Sequence, residues 1–156
     1  MFGQNTANTA SVTTGPSTQT VANLKVNWTF TTGGDVSARA AVVNNVAYFP
    51  DWGGNIWAVN ATTGTLVWGH QLSDYGLAPG TVSRTSPAVY KGVVSIGTQY
   101  VAPPTPTSPQ PPTGWLLAID AATGNLNWKL QPDTSNQFPV ITSSPAVFGG
   151  TVYMSG

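Results

Sequence analysis

The sequence predicts an all-β fold built of four-stranded antiparallel units stacked side by side. Three observations lead there. Gly (17), Pro (13), Thr and Asn punctuate short apolar runs, and no stretch sustains a 3.6-residue apolar period. Such composition favours strands and turns over helices. Next, Ala58-Val59-Asn60-Ala61-Thr62-Thr63-Gly64-Thr65-Leu66-Val67-Trp68 returns 60 residues later as Ala118-Ile119-Asp120-Ala121-Ala122-Thr123-Gly124-Asn125-Leu126-Asn127-Trp128, with six of eleven positions identical. Last, one hairpin pattern occurs three times, around Asn44-Asn45, Lys91-Gly92 and Gly149-Gly150, with Val42, Val89 and Val147 equivalent at spacings of 47 and 58. The longer spacings share a cause: Val101 to Thr113 hold six prolines and read as an inserted loop. Without that loop the unit is about 46 residues, the length of a four-stranded blade. The expected architecture is a partial β-propeller of about two and a half blades.

The elements follow in chain order. Residues 1–23 read as an extended leader; Met1 to Thr20 are polar, with no basic start and no apolar core, so no signal peptide is read there. Residues 24–31 carry Lys25-Val26-Asn27-Trp28-Thr29-Phe30 and read as an outer strand of the blade that closes the ring. Residues 32–72 are blade one. Residues 73–131 are blade two, with the Pro-rich insertion at 101–113. Residues 132–156 begin blade three and stop in its first hairpin, so the chain reads as a fragment. Within a unit, Pro87-Ala88-Val89-Tyr90 leads through Lys91-Gly92 to a second strand at Val93 to Thr98. A third strand ends in Asp120-Ala121-Ala122-Thr123-Gly124, where the Asp side chain caps the turn and Gly supplies positive φ. A fourth strand ends in Trp. A blade cannot cover both its faces alone, so aromatic residues at repeated positions are expected to fill the layers between blades.

Charge excludes several functions. Only 6% of residues are charged, with five bases, five acids and a formal net charge of zero, against about 25% in a typical soluble domain. Five scattered bases make no phosphate-neutralising face, so nucleic acid is not a partner. No run of about 18 apolar residues offers a membrane span. Cysteine is absent and His70 is the single histidine, so thiolate metal sites and histidine-rich zinc sites are excluded. His70 is expected in packing, Asn60 and Asp120 as turn caps, and Asp51 in shaping a loop. No catalytic residue and no metal ligand is assigned to this chain.

The repeat register itself nominates a site. Arg84 stands three before Pro87 in unit two, Thr142 three before Pro145 in unit three, and Ser37 is the match in unit one. Innermost strands converge on the propeller axis, so Ser37, Arg84 and Thr142 are expected around one mouth of the channel. An Arg there suits a planar carboxylate, which it can hold through two parallel hydrogen bonds. Arg39 stands where a small residue is expected.

The Ala-x-Asp-x-x-Thr-Gly-x-x-x-Trp turn resembles the signature of the PQQ-dependent quinoprotein alcohol dehydrogenases, eight-bladed propellers that bind pyrroloquinoline quinone (PQQ). The chain is most similar to the polyvinyl alcohol dehydrogenase-like branch. That likeness rests on Met1-Phe2-Gly3-Gln4-Asn5, Leu24-Lys25-Val26-Asn27-Trp28-Thr29-Phe30, Tyr48-Phe49-Pro50-Asp51-Trp52-Gly53-Gly54-Asn55 and Val82-Ser83-Arg84-Thr85-Ser86-Pro87. The resemblance implies that Arg84, Thr142 and Ser37 are cofactor-binding, although methanol-oxidising members carry glutamate at the place of Ser37. It implies hydride transfer from a primary or secondary alcohol to PQQ, with calcium as companion metal and cytochrome c as electron acceptor. It implies a periplasmic or secreted protein. It also places the metal ligands and the general base in later blades, so this chain alone is expected to be inactive and to hold no cofactor tightly. The alternative is a non-catalytic propeller of PQQ-like repeats acting as a binding scaffold, as in outer-membrane assembly lipoproteins.

Overall fold

The computed structural model describes residues 15–101, 114–132 and 140–155. The expected N-terminal run Met1 to Asn5 and nearly all of the Pro-rich insertion lie outside these residues. A four-stranded antiparallel sheet runs in the order β1 (Ala41–Val43), β2 (Val46–Pro50), β3 (Asn55–Asn60) and β4 (Leu66–Gln71). Two short strands, β5 (Thr81–Val82) and β8 (Gln99–Tyr100), pair with each other. Between and after them come β6 (Ala88–Tyr90), β7 (Val93–Gly97), β9 (Leu116–Asp120) and β10 (Leu126–Leu130), the second four-stranded sheet. A last hairpin joins β11 (Ala146–Phe148) and β12 (Thr151–Tyr153). All these pairings are antiparallel. The structure is thus a partial propeller of four-stranded blades.

The hairpins form where positive φ is tolerated. Asn44 and Asn45 adopt φ of 50° and 63°, and Lys91 and Gly92 adopt 47° and 77°. Two successive positive φ values give the turn whose twist matches paired strands. The β3–β4 and β9–β10 turns are capped alike. Asn60 Oδ1 accepts from the N–H groups of Thr62 and Thr63 at 2.9 and 3.0 Å. Asp120 Oδ1 accepts from those of Ala122 and Thr123 at 3.0 and 2.8 Å.

Strand period places the core between blades rather than inside one. Along β2 and β3, Tyr48, Ile56 and Ala58 face one way and Ala47, Phe49, Trp57 and Val59 the other. The first set packs with Trp68 against Val94, Ile96, Leu117 and Ile119 of blade two. The second set is covered by Trp28 and Phe30, and the Phe30 ring meets Trp57 edge-on at 5.3 Å. Residues 24–31, expected as an outer strand, pair with no strand among the described residues. Side chains hold that segment instead of a backbone ladder.

The tryptophans dock on the turns of the next unit. Trp28 Nε1 donates to Ala61 O at 3.0 Å, and Trp68 Nε1 donates to the equivalent Ala121 O at 2.9 Å. Gly64 and Gly124, with φ of 74° and 76°, lie beneath these indoles, and a Cβ at either would come within 2.8 Å of the ring. Glycine is required there twice over, by conformation and by space. Tyr48 and Tyr75 add hydroxyl bonds to Ala121 O and Gly124 O at 3.1 and 2.6 Å. Burial pushes both tyrosine hydroxyls above their ordinary titration range, with Asp120 and Asp74 adding to it respectively.

The innermost strands are laced by serines. Arg39 N donates to Ser86 Oγ at 3.0 Å, and Ser86 N donates to Ser144 Oγ at 2.9 Å. Residues 39, 86 and 144 repeat at the same 47 and 58 spacings as the hairpins. Between β1, β6 and β11 runs a groove of about 580 Å³, with Arg39, Ser86 and Ser144 among its lining.

Candidate functional site

Each of the three nominated residues lies two positions before that serine lacing. Arg84 sits in a locked backbone. Ser83 Oγ donates to Gly97 O at 2.7 Å, and Thr85 Oγ1 accepts from Gly97 N at 3.0 Å. Ser83 and Thr85 are buried while Arg84 is exposed. The alternation Ser-Arg-Thr therefore anchors two neighbours inward and turns the guanidinium outward.

The guanidinium is held on two sides. Its Cζ lies 4.7 Å from the centroid of the Trp52 ring. The buried Gln99 amide is assigned with its oxygen toward the guanidinium, because the opposite orientation sets N–H against N–H; so placed, it accepts from Nη2 and Nε at 3.0 and 3.1 Å. Gln99 opens β8, opposite Val82 of β5. That short strand pair, which the sequence did not suggest, puts Gln99 beside Arg84.

Ser37 reaches the same place from blade one. Trp52 Nε1 donates to Ser37 Oγ at 2.8 Å. Residues 37 and 84 are 47 apart, and so are 52 and 99. The Ser37–Trp52 and Arg84–Gln99 bonds are thus the same pairing in successive blades, and Arg84 over Trp52 joins the two. Accepting from the indole leaves the Ser37 hydroxyl hydrogen to donate elsewhere.

Thr142 is exposed and follows buried Ile141, whose N–H donates to Thr98 O at 3.1 Å. No hydrogen bond among the described residues joins Thr142 to Ser37, Arg84 or Trp52. Sequence reasoning missed Gln99 and gave Trp52 no role here. The 47-residue register was the available signal, but an indole and an amide do not look alike.

Asp51 anchors the platform from below. It is fully buried, and its carboxylate accepts from Gly33 N (2.9 Å), Asn55 N (3.0 Å), Asn55 Nδ2 (3.0 and 3.1 Å) and Trp57 Nε1 (2.8 Å). The next residue, Trp52, donates its N–H to Asp35 O at 2.9 Å. Asp51 thus shapes the loop that presents the indole, as its place before Trp52-Gly53-Gly54 suggests. His70 packs between blades, 5.9 Å from the Trp68 ring and 5.7 Å from Tyr75, with its Nδ1 3.8 Å from Asp74 Oδ2. Among the described residues no three His, Asp or Glu side chains gather as a metal site, and no helix is long and apolar enough to cross a membrane.

The arrangement is a set of donors on a flat aromatic base. A free guanidinium edge and a serine hydroxyl suit an anionic, planar, oxygen-rich ligand.

Comparison with known proteins agrees with the fold. The chain is 27% identical over 134 residues to polyvinylalcohol dehydrogenase from Pseudomonas sp, covering 86% of this chain and 19% of that protein. It is similar to the structure of quinohemoprotein alcohol dehydrogenase ADHIIG from Pseudomonas putida HK5, with a TM-score of 0.54 and 26% identity over 83% of this chain and 17% of that one. It shares the fold of BamB from Moraxella catarrhalis, with a TM-score of 0.53 and 14% identity, over 78% of this chain and 30% of that one. The chain therefore spans less than a fifth of the two dehydrogenases it matches. Residues 8–156, nearly all of its length, match the PQQ_2 family, described as outer membrane protein assembly factor BamB. With the blades, the docked tryptophans and these matches together, the chain belongs to the PQQ_2 family of PQQ-repeat propellers.

Proposed function

We propose that this chain supplies the first blades of a PQQ-dependent alcohol dehydrogenase-like quinoprotein, in which primary or secondary alcohols of the polyvinyl alcohol type are oxidised. The observation that carries the reading is Arg84, held outward between Trp52 and Gln99. The residues present fit the cofactor: a guanidinium edge and hydroxyls answer its carboxylates, and an indole answers its flat rings. When bound, PQQ supplies the quinone that accepts a hydride, with calcium as its Lewis-acid companion. Arg84 then binds a carboxylate, Ser37 and Thr142 donate hydroxyl hydrogen bonds, and Trp52 shields one side from water. This chain contributes binding and orientation; the resemblance assigns the base and the metal ligands to other blades. On the same reading the protein is periplasmic or secreted and passes electrons to a cytochrome c.

A second reading has an observation of its own. The PQQ_2 description and the shared fold with BamB support a scaffold propeller without cofactor. Arg84 separates the two, because a scaffold has no use for a clamped, outward-facing cation. The experiment is a PQQ titration in the presence of Ca²⁺, wild type against Arg84→Ala. Weaker binding by the variant is expected; equal affinity removes Arg84 from the site and favours the scaffold.

A further inference from the structure

We propose that Gln99 and Trp52 are positioning residues that leave Arg84 one donor edge for its ligand, so that a planar carboxylate is taken end-on through Nη1 and Nη2. The inference rests on the reading that Arg84 meets a carboxylate of PQQ.

A guanidinium has two edges that can grip a carboxylate, the Nε/Nη2 side and the Nη1/Nη2 end. Gln99 already fills the first, at 3.1 and 3.0 Å. Its own freedom is small, because the residue is 5% exposed and its backbone pairs with Val82. Trp52 covers one face of the guanidinium plane, and the indole cannot turn without breaking its bond to Ser37. Among the described residues nothing occupies the Nη1/Nη2 end. The same indole bond uses acceptor capacity of Ser37 and leaves its hydroxyl hydrogen as a donor. Trp52 therefore sets two ligand-facing donors at once, one from each blade.

A preset guanidinium binds better than a free one because ordering a long side chain costs affinity. The test is a heteronuclear NMR titration of the full chain with PQQ, following the Arg84 Nε–H and Trp52 Nε1–H signals. Wild type, Gln99→Met, Trp52→Phe and Arg84→Ala are compared, with melting temperatures to establish that each folds. Gln99→Met keeps the side-chain shape and deletes the acceptor. It is expected to speed Arg84 Nε–H exchange and to weaken PQQ binding about tenfold. Trp52→Phe keeps a ring under the guanidinium and frees Ser37, and is expected to weaken binding about threefold. A Gln99→Met chain with unchanged Nε–H exchange, or with wild-type affinity, overturns the positioning role and leaves the cofactor reading intact. Because this chain alone is expected to hold PQQ only weakly, the titration runs to millimolar PQQ; no response of wild type even there, or equal affinity in Arg84→Ala, overturns the cofactor reading itself.

Discussion

The Arg84 guanidinium lies 4.7 Å from the Trp52 ring centroid, and this contact spans the boundary between the two blades. Both residues are exposed, so the contact adds little to stability. The ring contact is worth less than about 1 kcal/mol, the usual range for an exposed cation over an aromatic ring, but Arg84→Ala also strands the buried Gln99 oxygen and is expected to cost about 1–3 kcal/mol in urea unfolding. A larger loss would make Arg84 a structural strut and weaken its assignment to a ligand.

Trp68 is the opposite case. It is 7% exposed, its indole N–H donates to Ala121 O, and its ring covers Gly124. Trp68→Ala is expected to cost about 3–5 kcal/mol, as for other buried aromatics. Trp68→Phe is expected to cost about 1–2 kcal/mol for the lost bond and area. Trp128 is the internal control, because it is 45% exposed. Trp128→Phe is expected to change stability by less than about 0.5 kcal/mol. Equal losses at the two sites in chemical denaturation would contradict the docking of Trp68 between blades.

Much of this was legible in the sequence. Asn44-Asn45 and Lys91-Gly92 announce hairpins because few residues accept positive φ there. The Asp120 to Trp128 repeat announces both turn and docking tryptophan, because the same physics recurs 60 residues apart. Ser37 and Arg84 could be paired by register alone. The same register aligns Gln99 with Trp52, but the role of Gln99 was hidden, since it depends on a two-residue strand with no apolar pattern of its own. The serine lacing was hidden because its donors are backbone N–H groups, which leave no mark on composition.

Asp51 collects donors from Gly33, Asn55 and Trp57, three points that are distant or offset along the chain. Removing the carboxylate would strand buried N–H groups, each costing about 1–3 kcal/mol. Asp51→Ala is expected to lose at least about 3 kcal/mol by thermal or urea unfolding. Asp51→Asn keeps the volume but turns an N–H toward other N–H groups, so it is expected to destabilise as well. Because Trp52 follows directly, the Trp52 Nε1–H NMR signal should shift in both variants. An Asp51→Asn protein with wild-type stability would show that the acceptor set is dispensable.

Gly97 is a packing requirement rather than a turn residue. A Cβ there would overlap Ile141 Cγ2, and Ile141 is the buried residue that fastens the start of blade three to Thr98 O. Gly97→Ala is expected to cost about 1–3 kcal/mol as overpacking. The local consequence is more specific than the global one. Hydrogen exchange should quicken across residues 141–153 before it changes in β2 and β3. Uniform acceleration would instead mean that the blades unfold as one unit.

Asp120 gives the interface between blades a pH dependence. Its carboxyl is held below the ordinary aspartate value, first by the Thr123 hydroxyl, then by the Thr123 and Ala122 N–H groups. A depressed value in the folded state stabilises above the unfolded value, near pH 4, and the gain is lost as pH falls through the folded one. Asn60 caps the equivalent turn of blade one through the same backbone N–H groups and does not titrate. Asp120→Asn should therefore remove this turn's share of the acid destabilisation, so its melting temperature falls less steeply than wild type between about pH 6 and pH 2. The effect reaches beyond the turn, because Tyr48 and Trp68 of the neighbouring blade both donate to Ala121 O within it. Acid should loosen the seam between blades first, seen as early exposure of the Trp68 indole to fluorescence quenchers. Parallel melting curves for wild type and Asp120→Asn would place the acid-sensitive group elsewhere.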